Sequence, residues 1–215
     1  VPLGLVTAVY MGEFAPAWQR EILKPIIEVL AGIPSIVLGF LGWVSLAPFI
    51  QRMGASTGLT AFSGSLILAY MALPTIISIT EDALYVVPKE YRDGALALGA
   101  TKWQTIWRVV LPAARSGIVI AIMLGIGRAI GETMAVMLVT GNAANLPELN
   151  AGVLFQPVRT LTATIAAEMG EVAQGSTHYH VLFSLGIILF LITFAINSLA
   201  SWLVGDGKKQ SEAKQ

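Results

Sequence analysis

Val181-Leu-Phe-Ser-Leu-Gly-Ile-Ile-Leu-Phe-Leu-Ile-Thr-Phe-Ala-Ile-Asn-Ser-Leu-Ala-Ser-Trp-Leu-Val204 contains no Asp, Glu, Lys or Arg. A helix of about 20 mainly apolar residues crosses the hydrocarbon core of a bilayer. This stretch has that length, and its polar residues are only Ser, Thr and the single amide Asn197. Lipid offers no partner for a bare backbone amide, so the segment is a helix that satisfies its own N–H and C=O groups. Working outward, residues 26–50, 59–79 and 117–139 are also long and mainly apolar, with Glu28 in the first and Arg128 and Glu132 in the last. Residues 1–11 read as the second half of a further span, with more chain expected before them. Gly32, Pro34, Gly39, Gly42 and Pro74 fall inside these stretches and predict kinks or close helix contacts.

Composition points the same way. Of 215 residues, 55% are hydrophobic and 12% are charged, and mean hydropathy is +0.74. A soluble domain carries about 25% charged residues, so this chain lacks the charge to cover a watery surface. The fold class expected is all-α: a polytopic transmembrane helix bundle over residues 1–204, followed by a disordered tail at 205–215. Net charge is zero, which argues against a nucleic-acid partner. Cysteine is absent, which excludes disulfides, thiolate metal sites and thiol nucleophiles. No Walker-type glycine loop or hydrolytic triad occurs, so no ATP chemistry, enzyme activity or cofactor is expected.

Charge asymmetry orients the bundle. Arg20 and Lys24 lie in one connector, Lys89, Arg92, Lys102, Arg108 and Arg115 in another, and Lys208, Lys209 and Lys214 in the tail. With alternating spans these ten of the thirteen basic residues share one side. Arg52 and Arg159 lie opposite, and Arg128 lies inside a span. The positive-inside rule places the basic connectors and the tail in the cytoplasm.

The 80–116 connector is patterned. Pro88 suits a helix start and Gly99 a stop, and a second short helix is expected from about Lys102 to Leu111. Trp103 and Trp107 share a face of it. On periodicity alone this is either an interfacial amphipathic helix or a pair of helices built for docking.

Arg128 sits near the middle of the 117–139 stretch, where a charge costs about 2.5–3.5 kcal/mol on insertion scales. Glu132 follows one turn later, and Thr133 adjoins it. Two readings stand: a buried structural ion pair, or a substrate path in which the Arg fork grips an oxyanion. Gly127 and Gly131 form a Gly-x-x-x-Gly pair expected to admit a neighbouring helix. His178 and His180 are read as an ordinary pair in an outer loop. Glu81 and Asp82 are read as solvated residues ending a span.

The spacing Asp93-Gly94-Ala95, then Gly99, then Val109-Val110-Leu111-Pro112 resembles the EAA loop of ABC importer permeases. In that family the loop forms a coupling helix seated in a groove of the ATPase subunit. The resemblance implies coupling roles for Glu90, Asp93, Gly94, Ala95, Gly99, Trp103, Leu111 and Pro112. Asp93 stands where the family has Glu, and Gly94 where it has Ala. The runs Pro25-Ile-Ile-Glu-Val-Leu-Ala-Gly-Ile-Pro-Ser-Ile-Val-Leu-Gly-Phe40 and Gly125-Ile-Gly-Arg-Ala-Ile-Gly-Glu-Thr-Met-Ala-Val136 resemble permeases of phosphate ABC importers, of the PstC type. That resemblance implies a MetI-like core with cytoplasmic coupling helices, and Arg128, Glu132 and Thr133 on the substrate path. It implies as partners a second, PstA-type permease, cytoplasmic ATP-binding subunits and an extracytoplasmic phosphate-binding protein, all within membrane lipid. The alternatives are another oxyanion, such as molybdate, sulfate or phosphonate, or an ion-driven transporter or channel. An ion-driven transporter has no use for an ATPase-docking loop. An intramembrane enzyme would need a nucleophile and base inside the spans, and none is found.

Overall fold

The computed structural model describes residues 1–150 and 152–212, with side chains as far as Trp202. Helix α1 (Pro2–Val9) runs on into a π-helical turn, Tyr10–Phe14, and α2 (Ala17–Gly32) follows. Next come α3 (Ser35–Arg52), with a π turn at Gly42–Leu46, and α4 (Ala61–Tyr85). The short helices α5 (Lys89–Ala97) and α6 (Lys102–Ala113) precede α7 (Arg115–Gly131) and α8 (Met134–Val139). After an extended loop come α9 (Leu161–Glu168) and the long α10 (Thr177–Glu212). The tail marked by composition as disordered, 205–215, continues α10 as far as Glu212, and residues 213–215 lie outside the described set.

Among the described residues α3, α4 and Thr177–Trp202 of α10 are long and apolar enough to cross a membrane, and α6 with α7 forms a pair bent by 71°. Only 6% of the most apolar stretch of α10 is buried. In water such a surface would collapse or aggregate; in lipid it is at home.

Two expected continuous spans are broken. The 26–50 stretch stops at Gly32 and restarts at Ser35. Pro34 has an extended ψ of 134°, and its ring disfavours helix at Ile33 before it. The 117–139 stretch stops at Gly131 and restarts at Met134, with Thr133 at φ −120°, ψ −57°. Glycine is a poor helix interior residue, and side chains take up the freed backbone groups here, as described below.

The chain forms two compact units. One comprises residues 1–32, 72–127 and 196–215. Its interior joins Ala8, Met11, Ile27 and Ile77 in one apolar cluster, and Leu84, Val87, Val110 and Ala114 in another. Helix α7 packs closely on α4 in this unit. A Cβ placed on Gly117 would fall 2.4 Å from Ala83 Cβ, and one on Gly125 2.6 Å from Ile76 Cγ1. The pair Gly127 and Gly131 plays no such part among the described residues, where a Cβ on either meets nothing within 4 Å. These glycines sit about a quarter to a third of a turn round the helix from the midline of the seam.

The other unit comprises residues 33–71 and 128–195. Leu38, Met71 and Ala135 are buried together there. Gly39 lies against Ala135, where an added Cβ would come within 2.8 Å of Ala135 Cα, and Gly42 lies against Val139. Advancing residue by residue in step, α3 and α8 run parallel.

Candidate functional site: a docking corner and a broken span

Helices α5 and α6 form a tight helix–turn–helix. Pro88 precedes the first residue of α5, where a missing N–H costs nothing. Gly99 ends the helix at φ +83°, a conformation open to glycine and strained for residues with a Cβ. The reversal carries two C-cap bonds, from Gly99 N–H to Leu96 O at 2.9 Å and from Ala100 N–H to Ala95 O at 3.1 Å. Thr101 then opens α6 with a capping box: its Oγ1 accepts from the Gln104 N–H, and Gln104 Oε1 accepts from the Thr101 N–H.

Within α5 only Ala95 is buried. Glu90, Asp93 and Gly94 are exposed, as are the apolar faces of Tyr91, Leu96 and Leu98, the last at 91%. A nine-residue helix with one buried residue has no packing reason to persist in solvent. Trp103 takes a different position from the α5 set. It stacks on Trp107 at 5.8 Å and lines an open apolar groove of about 500 Å³ with Val6, Tyr10 and Phe14 of the first helix. Leu111 packs against the buried Leu84 cluster, and Pro112 is exposed just before the bend into α7.

The base of this corner holds charges that the sequence reading passed over. Arg92 Nη2 donates to Glu13 Oε1 at 2.6 Å and to Leu84 O at 2.9 Å, while Nη1 donates to Val87 O at 2.6 Å. The carbonyls at a helix end have no intrahelical partners, so Arg92 caps α4 from outside and places positive charge at its negative pole. One turn earlier in α4, Glu81 is fully buried, which corrects its reading as a solvated residue. It pairs with Arg20 and, at 2.8 Å, with Lys24; Lys24 also meets Asp82 at 2.7 Å. Hydrogen bonds to Asp82 and then Glu81 hold the Lys24 ammonium above its ordinary pKa. The signal available in the sequence was the i, i+4 pair Arg20 and Lys24, two cations on one helix face.

At the broken span, Arg128 is half-buried in the last turn of α7. Glu132 lies just beyond the end of α7. Its Oε1 accepts from the N–H groups of Thr133 and Ala135, each at 3.1 Å, and so caps α8. Thr162 Oγ1 donates to Glu132 O at 2.7 Å, taking up a carbonyl left by the break. Thr133 Oγ1 donates to Gly131 O at 3.3 Å. Interrupted spanning helices persist where such groups are satisfied within protein.

His178 and His180 stand in the first turn of α10 rather than in the loop before it. His178 Nε2 is 2.8 Å from Glu168 Oε2, and the same carboxylate pairs with Arg159, whose Nε donates to Asn142 Oδ1 at 2.8 Å. The His178 bond first, then Arg159, holds the Glu168 carboxyl below its ordinary pKa. No group of three or more potential metal ligands exists among the described residues.

Residues 1–205 match the family described as binding-protein-dependent transport system inner membrane component. The chain belongs to this family. Similar members include the probable ABC transporter permease protein YqgH of Bacillus subtilis, 43% identical over 94% of this chain and 64% of the relative. The phosphate transport system permease protein PstC of Mesorhizobium japonicum is 39% identical over 95% of this chain and 67% of the relative. That of Pasteurella multocida is 37% identical over 95% and 68%. This inner membrane component thus spans about two thirds of the length of the curated relatives it matches. Among solved structures, a chain of the MetNI methionine ABC transporter in an inward-facing conformation superposes with a TM-score of 0.70 at 22% identity, covering 95% of this chain and 85% of that one. The family member therefore has the MetI-like permease fold, in agreement with the all-α transmembrane bundle read from its sequence.

Proposed function

We propose that this chain is a membrane-spanning permease subunit of an ATP-driven importer that carries inorganic phosphate into the cytoplasm by alternating access. The single observation that carries the reading is the α5 corner: a short helix, fully formed, that exposes Asp93, Gly94, Leu96 and Leu98 and buries only Ala95. It is a surface made to be covered, held on a capped and braced turn. An ion-driven transporter has no use for it. The similarity to phosphate permeases supports the choice of substrate.

In this reading the ATPase subunits grip α5, Glu90 and Gly99 included. Their closure moves the corner, and the spans re-pack around a path that contains Arg128, Glu132 and Thr133. The planar arginine fork matches two oxyanion oxygens. The basic connectors and the tail lie on the cytoplasmic side. A PstA-type second permease completes the membrane part, and an extracytoplasmic binding protein delivers the anion.

Uptake of labelled phosphate by proteoliposomes holding the assembled, full-length transporter tests the reading. Arg128→Gln is expected to lower uptake at least about a hundredfold, since it removes a desolvated charge from the path, with the subunits still co-purifying. Unchanged uptake removes Arg128 from the path. Uptake of molybdate or sulfate in preference to phosphate replaces the substrate.

A further inference from the structure

The Arg92 guanidinium ties three segments together. It lies on α5, it closes the Leu84 carbonyl in the last turn of α4 and the Val87 carbonyl in the linker, and it pairs with Glu13 in the π turn after α1. Glu13 is far from solvated, with 8% of its side chain exposed, and Arg92 retains 21%. Removing either leaves a buried charge uncompensated, so the contact resists opening. The π turn is what aims Glu13. An extra residue in the turn shifts the side-chain register relative to α1, and π turns concentrate at functional positions. Packing runs alongside the ion pair: a Cβ on Gly12 would touch Leu84 Cδ1 at 3.4 Å, ordinary van der Waals distance.

A second tie closes a ring. Helix α2, which follows the π turn after Ala15 and Pro16, returns to α4 through Arg20 and Lys24 on Glu81. Arg20 also lies over the Tyr85 ring at 4.9 Å. The circuit therefore runs from α5 to the π turn, to α2, to α4, and back to α5 through Arg92. Each link is an ion pair, a guanidinium hydrogen bond to a backbone carbonyl, or a covalent turn. A closed ring of this kind has no free hinge, whereas the α4–α5 linker alone, residues 86–88, would let α5 swing.

We propose that Arg92 is a positioning residue that locks the docking helix to the first helix, so that force applied at α5 moves α1 with it rather than bending the α4–α5 linker. The inference rests on the reading of α5 as the ATPase-docking helix. A lysine cannot replace the arginine in full: one ammonium holds Glu13 but does not span two carbonyls and a carboxylate in a plane.

The test uses the full-length permease assembled with its ATPase subunits in nanodiscs and proteoliposomes. Residues 1–215 contain no cysteine, so once any cysteine elsewhere in the full-length subunit is replaced by serine, spin labels at Val6→Cys and Lys89→Cys, both exposed in this chain, report the α1–α5 distance. In the parent, that distance is expected to stay constant when ATP binds. Glu13→Gln and Arg92→Gln are expected to keep the ATPase bound and hydrolysing. Transport per ATP should fall about tenfold, and the label distance should broaden and change with ATP. Arg92→Lys is expected to recover part of the coupling. Parent labels that separate on ATP binding, or Glu13→Gln with parental coupling and distance, overturn the proposal. Glu13→Gln is nearly isosteric and decides the matter if Arg92→Gln does not assemble. A parent that couples ATP to no phosphate uptake counts against the substrate assignment instead, and the label distances still decide the lock.

Discussion

Arg92 Nη2 and Glu13 Oε1 lie 2.6 Å apart although their residues are separated by 79 positions in the chain. The contact joins the 80–116 connector to the π turn at the end of the first helix. It sits beside the buried Leu84 and Val87, whose carbonyls the same guanidinium closes. A buried pair earns stability only when its remaining hydrogen-bonding capacity is met, and here the arginine meets it with backbone.

Glu81 carries a comparable load. Its carboxylate is buried between two cations whose side chains keep 28% and 34% exposure. Glu81→Ala is expected to destabilise the subunit by roughly 2–3 kcal/mol, below the 3–5 of a wholly buried pair because water reaches the cations left behind. Glu81→Gln keeps one acceptor oxygen for one cation but turns an N–H donor toward the other and loses the charge, so its cost should lie below that of Glu81→Ala but well above zero. Thermal unfolding of the detergent-solubilised transporter checks both. An unchanged midpoint for Glu81→Ala would show that the cluster bears no weight.

Three glycines separate three physical causes. Gly125→Val forces side-chain atoms into Ile76, where even a Cβ would lie at 2.6 Å, and is expected to cost about 3 kcal/mol or to block assembly. Gly99→Val places a β-branched residue at φ +83° and should cost about 1–2 kcal/mol through the backbone alone. Gly94→Ala, in α5 with nothing within 4 Å, should stabilise the helix by about 0.5–1 kcal/mol. Expression level and unfolding midpoint of the three variants, compared side by side, check the order.

The Glu168 carboxyl has its folded pKa held below the ordinary value of 4.5 by His178 and Arg159. A depressed pKa means that the unfolded state binds the proton more readily. The contribution of this group is therefore fully present above about pH 4.5 and is lost as pH falls through the folded value. Midpoints measured between pH 7 and pH 3 should fall less steeply in Glu168→Gln than in the parent. Identical acid slopes would show that the contact between α9 and the start of α10 contributes nothing.

Much of this protein was legible in the sequence because the bilayer is a demanding solvent. The 181–204 run, free of charge, permits one conformation in lipid. Local chemistry also read true at the α5–α6 corner. Pro88 and Gly99 act within four or five residues of themselves, so the two short helices and their turn could be placed before any packing was known; the Thr101 capping box was not anticipated. Tertiary structure decided what depends on distant partners. Pro34 looks like a kink within an apolar run, and Gly131 like half of a Gly-x-x-x-Gly contact. They become full breaks because Thr162, 30 positions from Glu132, supplies a hydrogen bond to a freed carbonyl, and because α3 and α8 pack together through Gly39 and Ala135. Glu81 looked solvated at the end of a span, and Arg92 looked like one more basic residue in a cytoplasmic loop. Burial and pairing are properties of neighbours brought in from 57 to 79 positions away, and no local pattern encodes which cation a carboxylate will meet.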